Sequence, residues 1–280
     1  RVPSYDGRIK SPLSNGSFLG VAIGPDSKTL YLSGGDNGAV IVYDMEKMES
    51  IDSLSLDGTF NGQKFEDSFT SDLLFNATSN ELLVLDRGNF RMVRIDLATK
   101  KIKASIPAGR LPFGIALSPD KKTALVANVG MYSYPLSDGK EIPGVGSPLA
   151  PEAMSVYSID LNSNKVVARL KTGMQIGQMV EDAEVVGGAS PNSIAVGKKY
   201  AYVTNASNDN ITVIDYRLHK IVTHIPIKVD ARIDKFRGLL PFGITLSKDE
   251  KTLFVALLGF NAVAVIDAEK RITKGLIPTG

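Results

Sequence analysis

The chain has 280 residues, of which 43% are hydrophobic and 22% charged, a composition typical of a globular protein. It contains no cysteine, which excludes a disulfide scaffold, a zinc ribbon, a thiol nucleophile and a cysteine-ligated iron–sulfur cluster. Its 32 Lys and Arg and 30 Asp and Glu give a formal net charge of +2, and because the basic residues are scattered we expect no nucleic-acid partner. No apolar run approaches the roughly 18 to 20 residues that span a bilayer, so we expect no membrane span.

One pattern occurs five times along the sequence, with starts near residues 19, 71, 113, 192 and 242. The clearest copies are residues 112–127 and 241–256, which both begin Pro-Phe-Gly-Ile and pass through a polar turn into an apolar run. Each copy then continues with three further parts. The first is an apolar run that ends in Asp, the second is a short polar turn, and the third is a last apolar run. The Asp residues that end these runs are Asp44, Asp96, Asp160, Asp215 and Asp267.

Each repeat therefore predicts four short strands, which we call A to D in chain order. The runs are rich in β-branched and aromatic residues and are bounded by Gly, Pro, Asn or Asp, which favours strand over helix. Runs such as 262–266 are apolar at successive positions, which predicts sheets that are covered on both faces. We predict an all-β fold, a single β-propeller domain over residues 1–280 with four-stranded blades. The five blades are expected at about 19–58, 69–109, 111–173, 191–227 and 239–280.

The longest connections of the predicted propeller all fall on one side. The A–B and C–D turns share one face of the disc, and the B–C and D–A connections share the other. Residues 130–153, 174–190 and 228–240 are long segments of the second kind, and long loops on a rigid scaffold are where binding usually resides. We expect this face to bind a protein or a polymer, and the candidate binding residues are Tyr132, Tyr134, Met174, Gln178, Arg232, Lys235, Phe236 and Arg237. In the alternative interpretation these loops pack on one another and cap the channel, with Tyr132, Tyr134 and Phe236 as anchors.

The residues that carry most enzyme chemistry are scarce. The two histidines, His219 and His224, are expected away from the long-loop face, and no nucleophile elbow, phosphate-binding loop or dinucleotide motif occurs. Asp and Asn recur at the B–C turns, where they suit tight turns and would also suit a calcium ion. The acidic residues Glu181, Asp182 and Glu184 are interpreted as a solvated loop face, with a cation site as the alternative. We assign no catalytic residue, no metal ligand and no cofactor.

Two stretches resemble known repeats. Residues 202–205, Tyr-Val-Thr-Asn, followed by 210–215 resemble the YVTN-type β-propeller repeat, as does the Ser-Pro-Asp-Lys-Lys-Thr stretch at 118–123. Residues 18–37 and 275–280 resemble the propeller portion of bacterial exported proteins that join such a propeller to an alkaline-phosphatase-like phosphoesterase domain.

The resemblance implies a seven-bladed ring in a periplasmic, extracellular or surface-attached protein, with a linked phosphatase domain whose metal ligands lie outside this chain. Since five blades are visible here, it implies one blade before Arg1 and one after Gly280. A closed five-bladed ring is the alternative.

Three functions are compatible with the sequence. The first is a non-catalytic module that recognises a protein or polymer, or positions a linked phosphoesterase, through 130–153, 174–190 and 228–240. The second is a metal-dependent, lactonase-like hydrolase, for which Asp72 is the only acidic residue at the start of an A strand. The third is a structural surface-layer module without a specific partner.

Overall fold

The computed structural model describes residues 19–130, 136–137, 140–141, 152–180, 182–233 and 235–280. The chain divides into two compact units between Ile115 and Ala116. The described residues form five four-stranded antiparallel sheets, three two-stranded ribbons and two short 3-10 turns. Within these ranges, no helix is long or apolar enough to cross a membrane. The five predicted four-stranded repeats are therefore confirmed.

The first unit contains two complete sheets. Sheet one consists of β1 (Val21–Ile23), β2 (Thr29–Ser33), β3 (Ala39–Asp44) and β4 (Glu49–Ser55). The connection that follows forms a ribbon of β5 (Gly58–Phe60) and β6 (Gln63–Phe65). Sheet two consists of β7 (Thr70–Asn76), β8 (Glu81–Asp86), β9 (Arg91–Asp96) and β10 (Lys101–Pro107).

The division between the units falls within the first strand of sheet three. Sheet three consists of β11 (Pro112–Leu117), β12 (Thr123–Asn128), β15 (Ser155–Asp160) and β16 (Lys165–Lys171), and the ribbon β13 (Leu136–Ser137) and β14 (Lys140–Glu141) lies in its B–C connection. A ribbon of β17 (Met179–Val180) and β18 (Ala183–Glu184) precedes sheet four, which consists of β19 (Pro191–Val196), β20 (Tyr200–Asn205), β21 (Asn210–Asp215) and β22 (Lys220–Pro226). Sheet five consists of β23 (Pro241–Leu246), β24 (Thr252–Leu257), β25 (Ala262–Asp267) and β26 (Ile272–Pro278).

The Asp at the end of each C strand builds the same turn in every sheet. Asp44, for example, accepts hydrogen bonds from the backbone N–H of Glu46 and Lys47, each at 2.9 Å, and Asp215 does the same for the two equivalent residues of sheet four. Four residues after each of these Asp residues the backbone turns left-handed, at Met48, Lys100, Asn164, His219 and Arg271. A side chain that bonds to its own turn lowers the cost of that conformation. The repeated Asp is therefore part of the architecture, as predicted.

Neighbouring sheets pack face to face. We call the face that packs on the next sheet along the chain the forward face, and the opposite face the rear face. In the first unit, Tyr31, Val40 and Val42 on the forward face of sheet one pack against Leu82 and Val84 on the rear face of sheet two. In the second unit, sheets three and four, and sheets four and five, pack in the same manner.

Within the described part of the second unit, sheet five has a neighbouring sheet on one face only, although the sequence predicts that both faces of every sheet are covered. The side chains of β25 alternate between buried and half-buried, so that Ala264 and Ile266 are buried on the rear face while Val263 and Val265 on the forward face keep contact with solvent. In sheet four, by contrast, all six residues of β21 are buried. The apolar run at 262–266 thus resembles a buried strand, although no other described sheet of the second unit lies on its forward face.

A buried ion pair holds the ribbon of the first unit. The Arg91 guanidinium donates to Asp86 at 2.7 Å and to the carbonyl of Leu56 at 2.6 Å, and it lies 3.6 Å from the centroid of the Phe65 ring. Arg91 and Asp86 are both buried, and Asp86 also accepts a hydrogen bond from Ser68. Because the cation contacts an acid, a backbone carbonyl and an aromatic ring, it connects β8 and β9 to the connection at 56–68.

We expect Arg91→Met to lower the free energy of unfolding by about 3 kcal/mol, because it leaves the buried Asp86 carboxylate without its cation. The control is Lys100→Met, which removes an ion pair with Asp52 at the surface and should cost less than about 1 kcal/mol. Urea denaturation of both variants measures the difference. An equally small loss of unfolding free energy in both variants would contradict a stabilising role for the buried ion pair.

Candidate functional site

The antiparallel order of each sheet places the B–C and D–A connections at the same end. In the second unit this end carries the described parts of 174–190 and 228–240 together with the B–C turn of sheet four, residues 206–209. We call these three segments the loop face. The B–C turn lies between the two D–A connections and bonds to both of them.

Asp209 holds the segment 228–240. Its backbone is left-handed, with φ of 48°, and its carboxylate accepts the N–H groups of Gly238 at 2.7 Å and Leu240 at 3.1 Å. The carbonyl of Asp209 also accepts the N–H of Ile227 at 2.8 Å. Three backbone donors of the connection therefore converge on this one residue, two on its carboxylate oxygens and one on its backbone carbonyl.

Asn208 holds the segment 174–190 in the same manner. Its side-chain oxygen accepts the N–H of Met174 at 2.7 Å, and its side-chain nitrogen donates to the carbonyl of Gly188 at 2.9 Å. A Cβ at Gly173, where φ is +59°, would lie 2.6 Å from that oxygen, so glycine is required for the close approach. These contacts favour the turn-chemistry interpretation of the Asn and Asp residues here over a calcium site.

Two clefts flank this B–C turn. One, of about 250 Å³, is lined by Met174, Met179, His224, Lys228 and Arg237, among others. The second, of about 210 Å³, lies on the side of Val186 and Leu240. Val180, Asn208, Asp209 and Arg237 line both clefts, so the turn forms a ridge between them.

The structure corrects the expected position of His224, which lies in the larger cleft and not away from this face. The residue is near the end of β22, and a D strand ends where the D–A connection begins, so a late position on the strand reaches the loop face. His219, in the C–D turn, lies at the opposite end of the sheet, as expected. The position of each histidine relative to the ends of β22 is the sequence signal that distinguishes His219 from His224.

Hydrogen bonds define the protonation of His224. The hydroxyl oxygen of Thr212 accepts the N–H of Gly173 at 2.9 Å and the side-chain amide of Asn205 at 2.8 Å. With both acceptor positions used, this hydroxyl donates to Nδ1 of His224 across the observed 3.1 Å. Burial lowers the pKa of His224 as well. The imidazole is therefore neutral near pH 7 and carries its proton on Nε2.

The candidate residues from the sequence divide into three groups. Met174 and Arg237 line the larger cleft. Gln178, Arg232, Lys235 and Phe236 are exposed and make local contacts. Tyr132 and Tyr134 lie outside the described residues.

The local contacts of the second group hold the loop face together. The side-chain oxygen of Gln178 accepts the N–H of Gln175 at 2.7 Å, and Arg232 forms a bidentate pair with Asp230 that lowers the pKa of the carboxyl to about 2. Lys235 pairs with Asp182 at 2.7 Å, and the Phe236 ring meets Phe260 edge-on at 5.5 Å between centroids. Of the predicted acidic cluster, Asp182 and Glu184 are exposed, in agreement with a solvated loop face, and Glu181 lies outside the described residues.

Large apolar side chains are left in solvent on and beside the loop face. Val186 is 72% exposed and Leu258, in the B–C turn of sheet five, is 60% exposed. The full set is Met179, Val186, Ile233, Phe236, Leu240 and Leu258. Of these six, the sequence predicted only Phe236 as a candidate binding residue, because the exposure of a loop side chain depends on tertiary contacts.

Asp72 lies in the first unit, near the start of β7, and does not line either cleft. Its carboxylate accepts the N–H of Ile115 at 3.0 Å and of Leu73 at 2.9 Å. Burial raises the pKa of Asp72 to about 6, against the opposing effect of these two hydrogen bonds. Within the described ranges, no three His, Asp or Glu side chains come together in an arrangement that would hold a metal ion.

Solved structures of other proteins share this fold. Hydrazine synthase from Kuenenia stuttgartiensis superposes with a TM-score of 0.64 at 17% identity, covering 93% of this chain and 74% of that one. Virginiamycin B lyase from Staphylococcus aureus, in its selenomethionine form, gives a TM-score of 0.60 at 15% identity, covering 91% and 68%. No known protein family and no curated protein matches the chain by sequence. The chain is thus an all-β protein of the β-propeller class, built from four-stranded blades.

The raised pKa of Asp72 makes stability depend on pH. The folded protein keeps this proton up to about pH 6, whereas an unfolded Asp releases it near pH 4, so the stability that neutral Asp72 contributes is lost as the pH rises through this window. We therefore measure the Tm of Asp72→Asn minus the Tm of the unsubstituted protein. We expect this difference to become more positive as the pH rises from about 5 to about 8.

The matched control for this measurement is Asp26→Asn. Hydrogen bonds from Lys28 and Thr29 hold the pKa of Asp26 at about 2, so its charge stays constant over the same range. Its Tm difference should stay nearly constant as well. A pH-independent difference for Asp72→Asn would contradict the raised pKa.

Proposed function

We propose that this chain is a non-catalytic binding module that holds a protein or polymer partner on the loop face. The observation that carries the proposal is the concentration of exposed Met, Val, Ile, Phe and Leu side chains on and beside this face, next to two clefts. Exposed apolar side chains beside a cleft are typical of an interaction site, and Met and Phe are enriched at the centres of protein interfaces. The long connections supply this surface, while the sheets below keep it in place.

The larger cleft favours a partner group that accepts hydrogen bonds. It is lined by the Nε2-protonated imidazole of His224 and by the cationic side chains of Lys228 and Arg237. A carbonyl or carboxylate next to an apolar side chain, the latter facing Met174 and Met179, fits this combination.

The resemblance to YVTN repeats extends the proposal to the rest of the protein. Under it, the protein is periplasmic, extracellular or surface-attached, and a linked alkaline-phosphatase-like phosphoesterase domain is one partner that the loop face positions. A structural surface-layer module would use the same fold without a specific partner. The selective loss of one captured partner upon substitution of the loop face distinguishes these two roles.

Asp72 supports a second candidate, the metal-dependent lactonase-like hydrolase. A carboxyl with a pKa near 6 is suited to acid–base chemistry near neutral pH. Its two hydrogen-bond donors are backbone amides, however, and the bond from Ile115 gives it a structural role in joining β7 to β11. A stoichiometric divalent ion in the purified protein would favour this second candidate.

We expect Val186→Asp to abolish the capture of the partner from an extract of the source cells. A carboxylate in the middle of an apolar contact would be desolvated without a counter-charge. The control is Leu218→Asp, because Leu218 is 73% exposed, nearly the same as Val186, but lies in the C–D turn at the opposite end of sheet four. Quantitative mass spectrometry of the captured proteins and glycans measures the result, and thermal melting checks that both variants fold.

The proposal requires one partner that is lost with Val186→Asp and kept with Leu218→Asp. Equal capture by the two variants, or loss with Leu218→Asp alone, would contradict a binding role for the loop face.

A further inference from the structure

A groove lies beside the loop face, between the connection that leaves β22 and the last strand of sheet five, β26. Its volume is about 530 Å³, against about 250 Å³ for the larger cleft. One wall consists of Pro226, Lys228, Val229 and Asp230, and the other of residues 271–275, all in the second unit. Pro226 and Lys228 also line the larger cleft, so the two spaces adjoin. We call this space the edge groove.

The described residues that line the edge groove carry more positive than negative charge. Three of them are cationic, namely Lys228, Arg271 and Lys274. The acidic residue Asp230 is already engaged in its bidentate pair with Arg232. Lys274 lies 3.8 Å from Asp267 and is half-exposed, so this ion pair contributes little stability. An anionic ligand would therefore meet net positive charge here without breaking a strong contact.

Apolar surface lies next to these cations. Ile272 is 53% exposed and lines the edge groove, and the half-buried Val229 lies on the opposite wall. Ile272 pairs with Asp267 at the start of β26, and the residues at this position in the other four sheets are charged: Glu49, Lys101, Lys165 and Lys220. Because the repeat does not require an apolar residue at this position, Ile272 indicates a contact outside the sheet packing.

The backbone of β26 borders the edge groove at residues 271–275. β26 is the last strand in the order of sheet five, so one side of its backbone has no partner strand within that described sheet. Gly275 has no side chain, whereas the equivalent residues of the other sheets are Asp52, Ala104, Ala168 and Thr223. All five sheets have a register shift at this point, so the shift does not account for the glycine. A glycine within a strand often marks the close approach of another backbone.

We propose that the edge groove is a second binding site, which holds an extended acidic peptide segment of a protein partner. Carboxylates of the segment pair with Lys228, Arg271 and Lys274, and an aliphatic side chain between them packs on Ile272. The backbone of the segment runs along the unpaired side of β26 and passes close to Gly275. A glycan with carboxylates supplies the charge but not the aliphatic side chain. The site stands on its own, whatever the loop face binds.

Fluorescence anisotropy with three short labelled peptides tests the chemistry of the ligand. In the first peptide Glu alternates with Leu, in the second Gln replaces Glu, and in the third Ser replaces Leu. We expect the 280-residue chain to bind the first peptide at least about tenfold more tightly than either of the others, because charge and apolar contact both contribute. No binding of the first peptide, or equal binding of the first and the second, would overturn the proposal. Displacement of the first peptide by polygalacturonate at an equal carboxylate concentration would assign the groove to a glycan instead.

Variants of the two walls test the place of binding. Arg271→Glu should raise the Kd of the first peptide about tenfold or more, because it sets a like charge against the carboxylates of the ligand. The control, Lys165→Glu, makes a matched charge change at an exposed position of sheet three and should raise Kd less than about twofold. Ile272→Gln leaves the charge unchanged and should raise Kd about fivefold through the lost apolar contact. Thermal melting checks that all three variants fold.

Equal Kd values for Arg271→Glu and Lys165→Glu would contradict a site in the edge groove, and an unchanged Kd for Ile272→Gln would contradict the apolar contact. Hydrogen exchange with the first peptide bound gives an independent measurement, in which we expect slower amide exchange in 271–277. Slower exchange confined to 174–180 and 182–190 would place the peptide on the loop face. That result would overturn the edge groove as a site and leave the binding role of the loop face intact.

Discussion

Face-to-face packing of four-stranded sheets is the interaction on which the rest of this structure depends. A single twisted sheet with apolar residues on both faces cannot bury them alone, so each sheet needs a neighbour. The contact is made by a fixed set of positions, which in sheets one and four is an aromatic residue paired with Val and a β-branched residue paired with an aliphatic one. Because every repeat uses the same positions, sheets of different sequence pack alike.

Face-to-face packing constrains the strands but leaves the connections between them free to vary. With the strands fixed by packing, variation is confined to the connections, and antiparallel order collects the B–C and D–A connections at one end. There the second unit uses two adjacent residues, Asn208 and Asp209, to hold one long connection each. The apolar side chains that these connections carry remain exposed.

The strands and their turns were predictable, because both follow from short-range signals. Runs of β-branched residues, and an Asp two or three residues before a turn amide, are visible in the sequence and lie where they were expected. The ribbon of β5 and β6 carries such a signal too, since Asn61 and Gly62 both have positive φ, as a two-residue hairpin turn requires, and it was missed.

The contents of the candidate site were less predictable, because they depend on tertiary contacts. Met174 and Arg237 were found from loop length and residue type, whereas the roles of Asn208 and Asp209 require knowing which backbone amides lie opposite them. The prediction for His224 was wrong because it considered only that β22 is the outermost strand. His224 lies near the end of that strand, and this end borders the loop face. The partial exposure of the forward face of sheet five could not be predicted for a related reason. An apolar run has the same sequence pattern whether or not a neighbouring sheet covers it.

Hydrogen exchange measured on the protein with and without its captured partner tests the central claim that the loop face is the binding surface. The account predicts slower amide exchange in 174–180, 182–190 and 228–233 when the partner is bound, with no change in the turns at the opposite end of the same sheets. Slower exchange confined to those opposite turns, at 197–199, 216–219 and 247–251, would contradict it.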